Sequence, residues 1–318
     1  MMARDSEVTL SPKEDPARIA AAITRYLSAE NFGNILSFRG SDQSPKKDEK
    51  EEDECNELVA RSIDVAIIVA VPSEKDGVFS AFNLPRRSAK QLDLLDQYRI
   101  EYTLFEHHGI NIALLIQNNM GMTLAASLTT RAILGLKPRL VAMVGICAGR
   151  VGKTNLGDLI IASNVFDYTA GKHYVDHFGP RPKSYPVDDT LSTYIVSSVL
   201  ENHELIGQII DAYQGDKNLP SLPTIHFKPM ASGTAVVDDK NIIDEVTRTQ
   251  DDLAGIDMEA YAVAVSANIL RTKWLVIKTV QDFANGEKTA TESTIRSYAA
   301  FSSAKLLELI LPDLIKYV

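Results

Sequence analysis

One stretch of the sequence, residues 256–285, constrains the fold of this chain more than any other. In its first half, apolar residues fall at helical spacing and no charge occurs between Glu259 and Arg271, which predicts a largely buried helix. In its second half, an apolar run over residues 274–280 is interrupted by Lys278, which predicts an inner strand. Together the two halves indicate a layered α/β protein.

Each half of this stretch carries a carboxylate where apolar surroundings make it costly. Glu259 falls in the first turn of the predicted helix, and Asp282 follows the end of the predicted strand. A carboxylate near a protein core needs a partner or a chemical task. Asp257 and Glu259 could instead cap the helix and interact with its positive end, and Asp282 could be an ordinary turn residue after the strand. The stretch alone therefore leaves structural and catalytic roles open.

Length and composition indicate a globular protein with a sizeable core. The chain has 318 residues, of which 45% are hydrophobic, and a formal net charge of -9. This charge argues against a sequence-independent nucleic-acid binder, because such proteins use clustered positive charge. The two cysteines show neither disulfide nor zinc spacing, and no apolar run reaches the roughly 18 residues of a membrane helix. We therefore expect a soluble cytoplasmic protein that contacts neither nucleic acid nor membrane.

The chain divides into an N-terminal segment and one large domain. Residues 1–62 contain a predicted amphipathic helix and then a charged segment that is typical of a solvated linker. We expect this segment to be an arm, an oligomerisation helix or the binding site of a protein partner. Residues 63–318 alternate predicted strands and helices, which indicates an α/β domain.

Several elements of this domain can be predicted from periodicity. Apolar runs predict buried strands at 64–71, 140–146, 158–166 and 225–231. Two alternating segments, 98–106 and 110–117, flank His107-His108-Gly109 and predict a hairpin, which makes the sheet mixed. Helices are predicted after Pro72 and at 123–136 and 191–205, and a final helix or pair of helices is predicted at 291–315. Residues 166–186 form a polar and aromatic loop of a length usually kept for function.

Common catalytic motifs are absent from the sequence. Residues 149–154 read GRVGKT, but Cys147 stands where a Walker-type phosphate loop needs glycine. No GxGxxG follows a strand, and neither GxSxG nor HExxH occurs. We interpret His107 and His108 as surface turn residues and Cys147 as a small buried thiol. We predict neither a cofactor nor a metal site.

The remaining candidates lie at the carboxyl ends of predicted strands. Glu74, the glycine-rich turn at 145–149, Ser232 and Asp282 each follow a strand, and α/β sheets bind ligands at that edge. Glu259, at a helix start, is placed to face the same crevice. These residues alone predict an α/β enzyme with several acidic groups in its site.

Five segments carry a resemblance to a known family: IIVAVPSEKD, VGICAGRVGKTNLGDLIIAS, ASGTAVV, IDMEAYAVA and VIKTVQDFAN. Together, in this order, they resemble the nucleoside phosphorylase superfamily, and the resemblance spans about residues 64–310. The similarity is greatest to methylthioadenosine/adenosylhomocysteine nucleosidases and to related effector domains of immune proteins. The resemblance implies a three-layer α/β/α fold around a central mixed twisted sheet, a purine nucleoside or nucleotide as substrate, and a homo-oligomer with sites at subunit interfaces.

The resemblance also implies roles for individual residues. Asp282 would protonate N7 of the purine, Glu259 would bind the ribose hydroxyls, and Glu74 would activate the attacking water. Breaking an N-glycosidic bond needs these three groups, because positive charge develops on the sugar and negative charge on the leaving base. Met258 would lie against the sugar, and a base pocket would be formed by Val236 and Val237.

The resemblance also implies that Gly145 and Ile146 contact the substrate, and this segment bears on whether water or phosphate attacks the sugar. Met143 falls where phosphorylases of the family usually carry an arginine, and Ile146 falls where a serine is usual. Glu74 would repel phosphate and suit a water. We therefore expect hydrolysis, with two alternatives: a phosphate-dependent purine or uridine phosphorylase, and a catalytically silent nucleotide sensor.

Basic residues in two places are candidates to bind the 5′ end of the substrate. The long loop contains Lys172, His173, Arg181 and Lys183, and Asp282 is flanked by Lys278 and Lys288. A solvated loop with an internally paired Lys278 is the simpler interpretation. The sharper one is a cradle for 5′-phosphates with Lys172 and Lys278 among its contacts, so we predict an adenine nucleoside or nucleotide as the substrate.

Overall fold

The structure is a computed structural model that describes residues 62–85, 91–94, 100–216, 219–286 and 290–318. The accessory helix and linker predicted for residues 1–62 lie, apart from Ser62, outside the described residues, and so does Lys288. The domain boundary at residue 63 therefore stays a prediction.

Twelve strands and seven α-helices are described in this part of the chain. The strands are β1 (Val65–Val69), β2 (Gln91–Leu94), β3 (Ile100–His107), β4 (Ile110–Ile116), β5 (Leu140–Gly149), β6 (Leu159–Asp167), β7 (Gly171–His173), β8 (Phe178–Pro180), β9 (Ser184–Pro186), β10 (Ile225–Ser232), β11 (Gly255–Asp257) and β12 (Lys273–Asp282). The helices are α1 (Pro72–Ala81), α2 (Met122–Leu136), α3 (Asp189–Tyr194), α4 (Leu205–Ala212), α5 (Lys240–Thr249), α6 (Ala260–Ile269) and α7 (Ala290–Leu314).

A ten-stranded mixed sheet forms the centre of the fold. Nine strands run in the order β11-β10-β6-β12-β5-β1-β4-β3-β2, and β9 pairs with β6. The innermost strands β1, β5 and β12 are parallel and almost fully buried, as their near-continuous apolar sequences predict. The predicted hairpin is present as the antiparallel pair β3 and β4, which confirms the mixed sheet.

Helices cover the sheet and complete three layers, as predicted. α1 packs with α7, and α2 packs with α6. The contact of α1 with α7 is close, because a Cβ on Gly77 would lie 2.5 Å from the carbonyl oxygen of Ala300. None of the described helices combines the length and apolar character needed to cross a bilayer.

Strand β5 differs from its prediction, because residues 145–149 continue the strand instead of forming a glycine-rich turn. β12 pairs with β5 as far as Ala148, and β11 adds an antiparallel pairing at Ala148 and Gly149. These partners satisfy the backbone of the segment, so it stays extended. Since β11 also pairs with β10, the strands β5, β12, β6, β10 and β11 close into a ring.

Two other segments also differ from their predictions. The helix predicted at 191–205 is broken into α3, a π-helical turn over Ile195–Val199, and α4. Asn202 Oδ1 accepts a hydrogen bond from Glu204 N, a local side-chain contact that competes with helical hydrogen bonding. The loop predicted at 166–186 contains the two-stranded ribbon β7–β8, and β9 adds an edge to the main sheet.

Candidate active site

A single cleft of the described structure collects most of the predicted site residues. Those lining it are Glu74, Ile146, Val236, Val237, Met258, Glu259 and Asp282. They come from α1, β5, the segment after β10, the turn before α6, and the end of β12. Segments that are distant in the sequence therefore supply one site, as the predicted convergence of strand ends requires.

Glu74 is fixed at the base of this cleft by backbone groups. It lies in the first turn of α1, where Pro72 starts the helix, and its side chain is buried. Its Oε2 accepts hydrogen bonds from Ala70 N (2.6 Å) and Val71 N (3.2 Å), and its Oε1 accepts one from Ile146 N (2.9 Å). These three donors hold the carboxylate in one orientation between β1 and β5.

Gly145 supports Glu74, although it does not line the cleft. A Cβ at this position would lie 1.9 Å from Glu74 Oε1, so any other residue here would displace the Glu74 carboxylate. Glycine therefore permits the close approach of the carboxylate to β5. Gly145 was predicted to contact substrate, and its observed contact is with Glu74.

The sequence left open whether Asp257 and Glu259 cap the helix or serve the site, and the structure gives the two residues different roles. Asp257 caps α6, because its Oδ2 accepts from Ala260 N (3.0 Å), and its Oδ1 accepts from the Ser232 hydroxyl (2.6 Å). Glu259 makes no capping hydrogen bond. Its Oε1 instead accepts from the backbone N–H of Gly121 (2.7 Å) at the start of α2. Glu259 therefore faces the cleft and not the helix end.

The buried position of Glu259 changes its acidity. Burial raises the pKa of its carboxyl from 4.5 to about 7, the positive charge of Lys278 opposes this rise, and the negative charge of Asp257 adds to it. The hydrogen bond from Gly121 also stabilises the ionised form. Glu259 therefore changes its charge near neutral pH.

Lys278 lies beneath the cleft, where its side chain is fully buried. Its Nζ is 3.3 Å from Asp257 Oδ2 and 3.9 Å from Glu74 Oε1. Burial alone lowers the pKa of Lys278, but the carboxylates of Glu74, Asp257 and Glu259 outweigh burial and keep the ammonium charged. Lys278 does not line the cleft. The simpler interpretation, internal pairing, fits this geometry, and a contact with a 5′-phosphate does not.

Asp282 reaches the cleft through an irregularity in β12. The pairing of β12 with β5 shifts register between Val280 and Asp282, so Gln281 is an extra residue of the bulged strand. A bulge of this kind redirects the side chain that follows it. Asp282 is the last residue of the strand, and its Oδ1 accepts a hydrogen bond from Ala284 N (3.1 Å).

Lys172 is not brought into the cleft. It lies on the β7–β8 ribbon, where its Nζ is 4.7 Å from the ring centre of Tyr174. Arg181 donates from the same region to the Tyr174 hydroxyl (3.1 Å), and His173 lines a separate groove with Phe178 and other residues. Within one described subunit, these loop residues do not form the predicted phosphate cradle at the cleft.

Several residues that line the cleft were not assigned a role in the site from the sequence. Asp257 was considered only as a helix cap, and Cys147 was interpreted as a buried thiol, which its low exposure confirms. Burial raises the pKa of the Cys147 thiol well above its usual value, so it is a poor nucleophile. Arg296 lines the cleft from α7, and no sequence pattern marks it. In the described residues, no group of three or more His, Cys, Asp or Glu side chains is arranged to hold a metal ion.

Comparisons with known proteins extend these observations. The uncharacterised protein y4jS of Sinorhizobium fredii is 36% identical over 194 residues, which are 59% of this chain and 46% of that protein. The 5′-methylthioadenosine/S-adenosylhomocysteine nucleosidase of Bacillus subtilis is 26% identical over 211 residues, which are 65% of this chain and 83% of that protein. The ATP nucleosidase Cap17 of Escherichia coli is 26% identical over 186 residues, which are 55% of this chain and 37% of that protein.

The fold is also that of solved proteins. The Helicobacter pylori 5′-methylthioadenosine/S-adenosylhomocysteine nucleosidase matches with a TM-score of 0.60 at 15% identity, covering 80% of this chain and 100% of that one. The chain spans less than half the length of y4jS and of Cap17. The sequence profile of the phosphorylase superfamily matches residues 64–311, a range that contains the central sheet and every predicted site residue. The chain therefore belongs to the phosphorylase superfamily.

Proposed function

We propose that this protein hydrolyses the N-glycosidic bond of an adenine nucleoside or nucleotide and releases free adenine. The observation that carries the proposal is the convergence of Glu74, Glu259 and Asp282 on one cleft. The similar proteins support adenine as the base, since they include nucleosidases for methylthioadenosine, adenosylhomocysteine and ATP.

The three carboxylates fit the three charge changes of the reaction. In this proposal Asp282, at the end of β12, gives a proton to the purine as the bond to the sugar breaks. Glu259 accepts hydrogen bonds from the ribose hydroxyls, and in its ionised form it stabilises the positive charge that develops on the sugar. Glu74 takes a proton from the water that attacks the anomeric carbon. The hydroxyl of the water thereby joins the anomeric carbon of the ribosyl product, and adenine leaves with the proton from Asp282.

The rigid setting of Glu74 supports water as the nucleophile. Its carboxylate is buried and pinned by Ala70 N, Val71 N and Ile146 N, so it cannot swing away to admit an anion. A fixed negative charge at the point of attack repels inorganic phosphate and orients a water through hydrogen bonds. The side chain of Ile146 adds no polar group for a phosphate oxygen.

The proposal is tested by incubating the purified full chain with adenosine, methylthioadenosine, AMP or ATP in phosphate-free buffer. We expect chromatography to show free adenine from at least one substrate. Parallel reactions with added phosphate are analysed for ribose 1-phosphate or its 5′-substituted counterpart. Base release that depends on phosphate would favour the phosphorylase alternative, and ligand binding without any release would favour the silent sensor.

A further inference from the structure

We propose that Arg296 binds the phosphoryl group of the substrate, so that the cleft selects 5′-phosphorylated adenine nucleotides over the free nucleoside. The inference rests on the proposed hydrolysis and adds a substrate class to it. Its basis is the distribution of charge in the cleft. Arg296 is the one basic side chain among the described residues that line it, and the acidic ones are Glu74, Asp257, Glu259 and Asp282.

Helix packing holds Arg296 at the cleft. α1 and α7 are in close contact where Gly77 meets Ala300. One helical turn earlier on each helix, Arg296 Nε lies 3.5 Å from the hydroxyl oxygen of Ser73, the residue that precedes Glu74. The backbone at Arg296 is therefore fixed by the two packed helices, while its side chain remains exposed to solvent and to a ligand.

The guanidinium of Arg296 is not neutralised by a carboxylate anywhere in the described part of the chain. Its contact with Ser73 is long and uses only Nε, which leaves the terminal nitrogens to bind a ligand. A planar guanidinium binds two phosphate oxygens at once. In a cleft lined by four carboxylates, a phosphorylated substrate needs such a cation to offset repulsion. Lys278 does not supply it, because it is buried and paired with Asp257 and Glu74.

A phosphoryl group can reach Arg296 as part of the substrate or as inorganic phosphate that replaces the attacking water. The buried carboxylate of Glu74 disfavours the second source, since it occupies the nucleophile side and is locked there by backbone donors. We therefore assign Arg296 to the 5′-phosphate of the substrate itself.

The test compares AMP with adenosine in the full chain and in three variants, Arg296→Gln, Arg296→Lys and Arg271→Gln. Arg271 is a matched control, because it is also exposed but precedes β12, at the opposite end of that strand from Asp282. Loss of a charged hydrogen bond should raise the KM for AMP about tenfold or more in Arg296→Gln and change the KM for adenosine less than about twofold. Arg296→Lys should recover part of this loss, and Arg271→Gln should behave as the wild type.

Two outcomes would overturn the inference and leave the hydrolase proposal standing. They are equal losses for AMP and adenosine, or the same selective loss in Arg271→Gln. A ribose phosphate that forms from adenosine only with added inorganic phosphate, and no longer forms in Arg296→Gln, would overturn both, because it would identify a phosphorylase whose arginine binds the attacking phosphate. Midpoints of thermal unfolding confirm that each variant is folded.

If the wild-type protein releases no adenine, the proposed function is contradicted. The role of Arg296 is then tested by measuring ligand binding. Isothermal titration calorimetry with AMP and adenosine measures the affinity in the wild type and in Arg296→Gln. AMP binding that weakens about tenfold in the variant supports the inference. AMP binding that is unchanged, or that the wild type does not show, overturns it.

Discussion

Replacing Lys278 with methionine is expected to destabilise the protein strongly, because this ammonium is the buried counter-ion of the site. Its Nζ lies 3.3 Å from Asp257 Oδ2 and 3.9 Å from Glu74 Oε1, and the side chain is fully buried. With an effective dielectric constant of about 20, these separations correspond to attractions of about 5 and about 4 kcal/mol. The cost of burying three charges offsets much of this attraction in the wild type.

Methionine keeps the volume and the apolar stem but leaves two carboxylates buried without a cation. Removing one partner of a buried ion pair costs about 3–5 kcal/mol, and we expect a loss in that range at pH 8. Urea denaturation followed by circular dichroism measures the free energy of unfolding.

Lys273→Met is the matched control for this measurement. Lys273 begins the same strand and pairs with Asp188 at 3.0 Å, but both side chains are about one-third exposed. Exposed pairs contribute about 0–1 kcal/mol, so the control should unfold nearly as the wild type does. Equal and small losses in both variants would refute the buried ion-pair network.

Three further predictions concern other parts of the site. Gly145→Ala should displace Glu74, cost about 1–3 kcal/mol in thermal or urea unfolding and reduce adenine release, whereas Gly207→Ala, whose Cβ meets nothing within 4 Å, should keep stability and activity. In the wild type, ionisation of the buried Glu259 carboxyl lowers the free energy of unfolding as pH rises from 4.5 through about 7, the raised pKa of this group. Glu259→Gln should remove this loss of stability. Its advantage in unfolding free energy over wild type should therefore grow with pH to about 3 kcal/mol at pH 8, and a pH-independent difference would contradict the shifted pKa. The Cys147 thiol, buried and with a raised pKa, should react with a thiol reagent at pH 7.5 only after unfolding, and rapid labelling of native protein would contradict its burial.

The order of elements was predictable because each local pattern agrees with its tertiary setting. The apolar runs that form β1 and β12 are buried on both faces, and the hairpin around His107-His108-Gly109 has the alternation of an antiparallel pair. The α/β fold, its three layers and the superfamily are confirmed. The N-terminal segment, the homo-oligomer and the cytoplasmic location stay predictions.

Features that depend on distant partners could not be predicted from local patterns. Residues 145–149 have the glycines of a turn, but pairing with β11 and β12 keeps them extended. The sequence shows Lys278 in an apolar run, and only the fold shows that Asp257 and Glu74 surround it. Arg296 has no local signal, since its place in the cleft depends on the packing of α7 against α1.

The rate of adenine release by Asp282→Asn tests the central claim most directly. Asparagine keeps the shape of the side chain and cannot donate a carboxyl proton to the leaving purine. The assay measures single-turnover release of adenine from the preferred substrate, and calorimetry measures the affinity for that substrate in parallel. We predict that release falls by about 10²–10⁴-fold while affinity changes little. Release at the wild-type rate, with affinity unchanged, would contradict Asp282 as the acid and with it the proposed site.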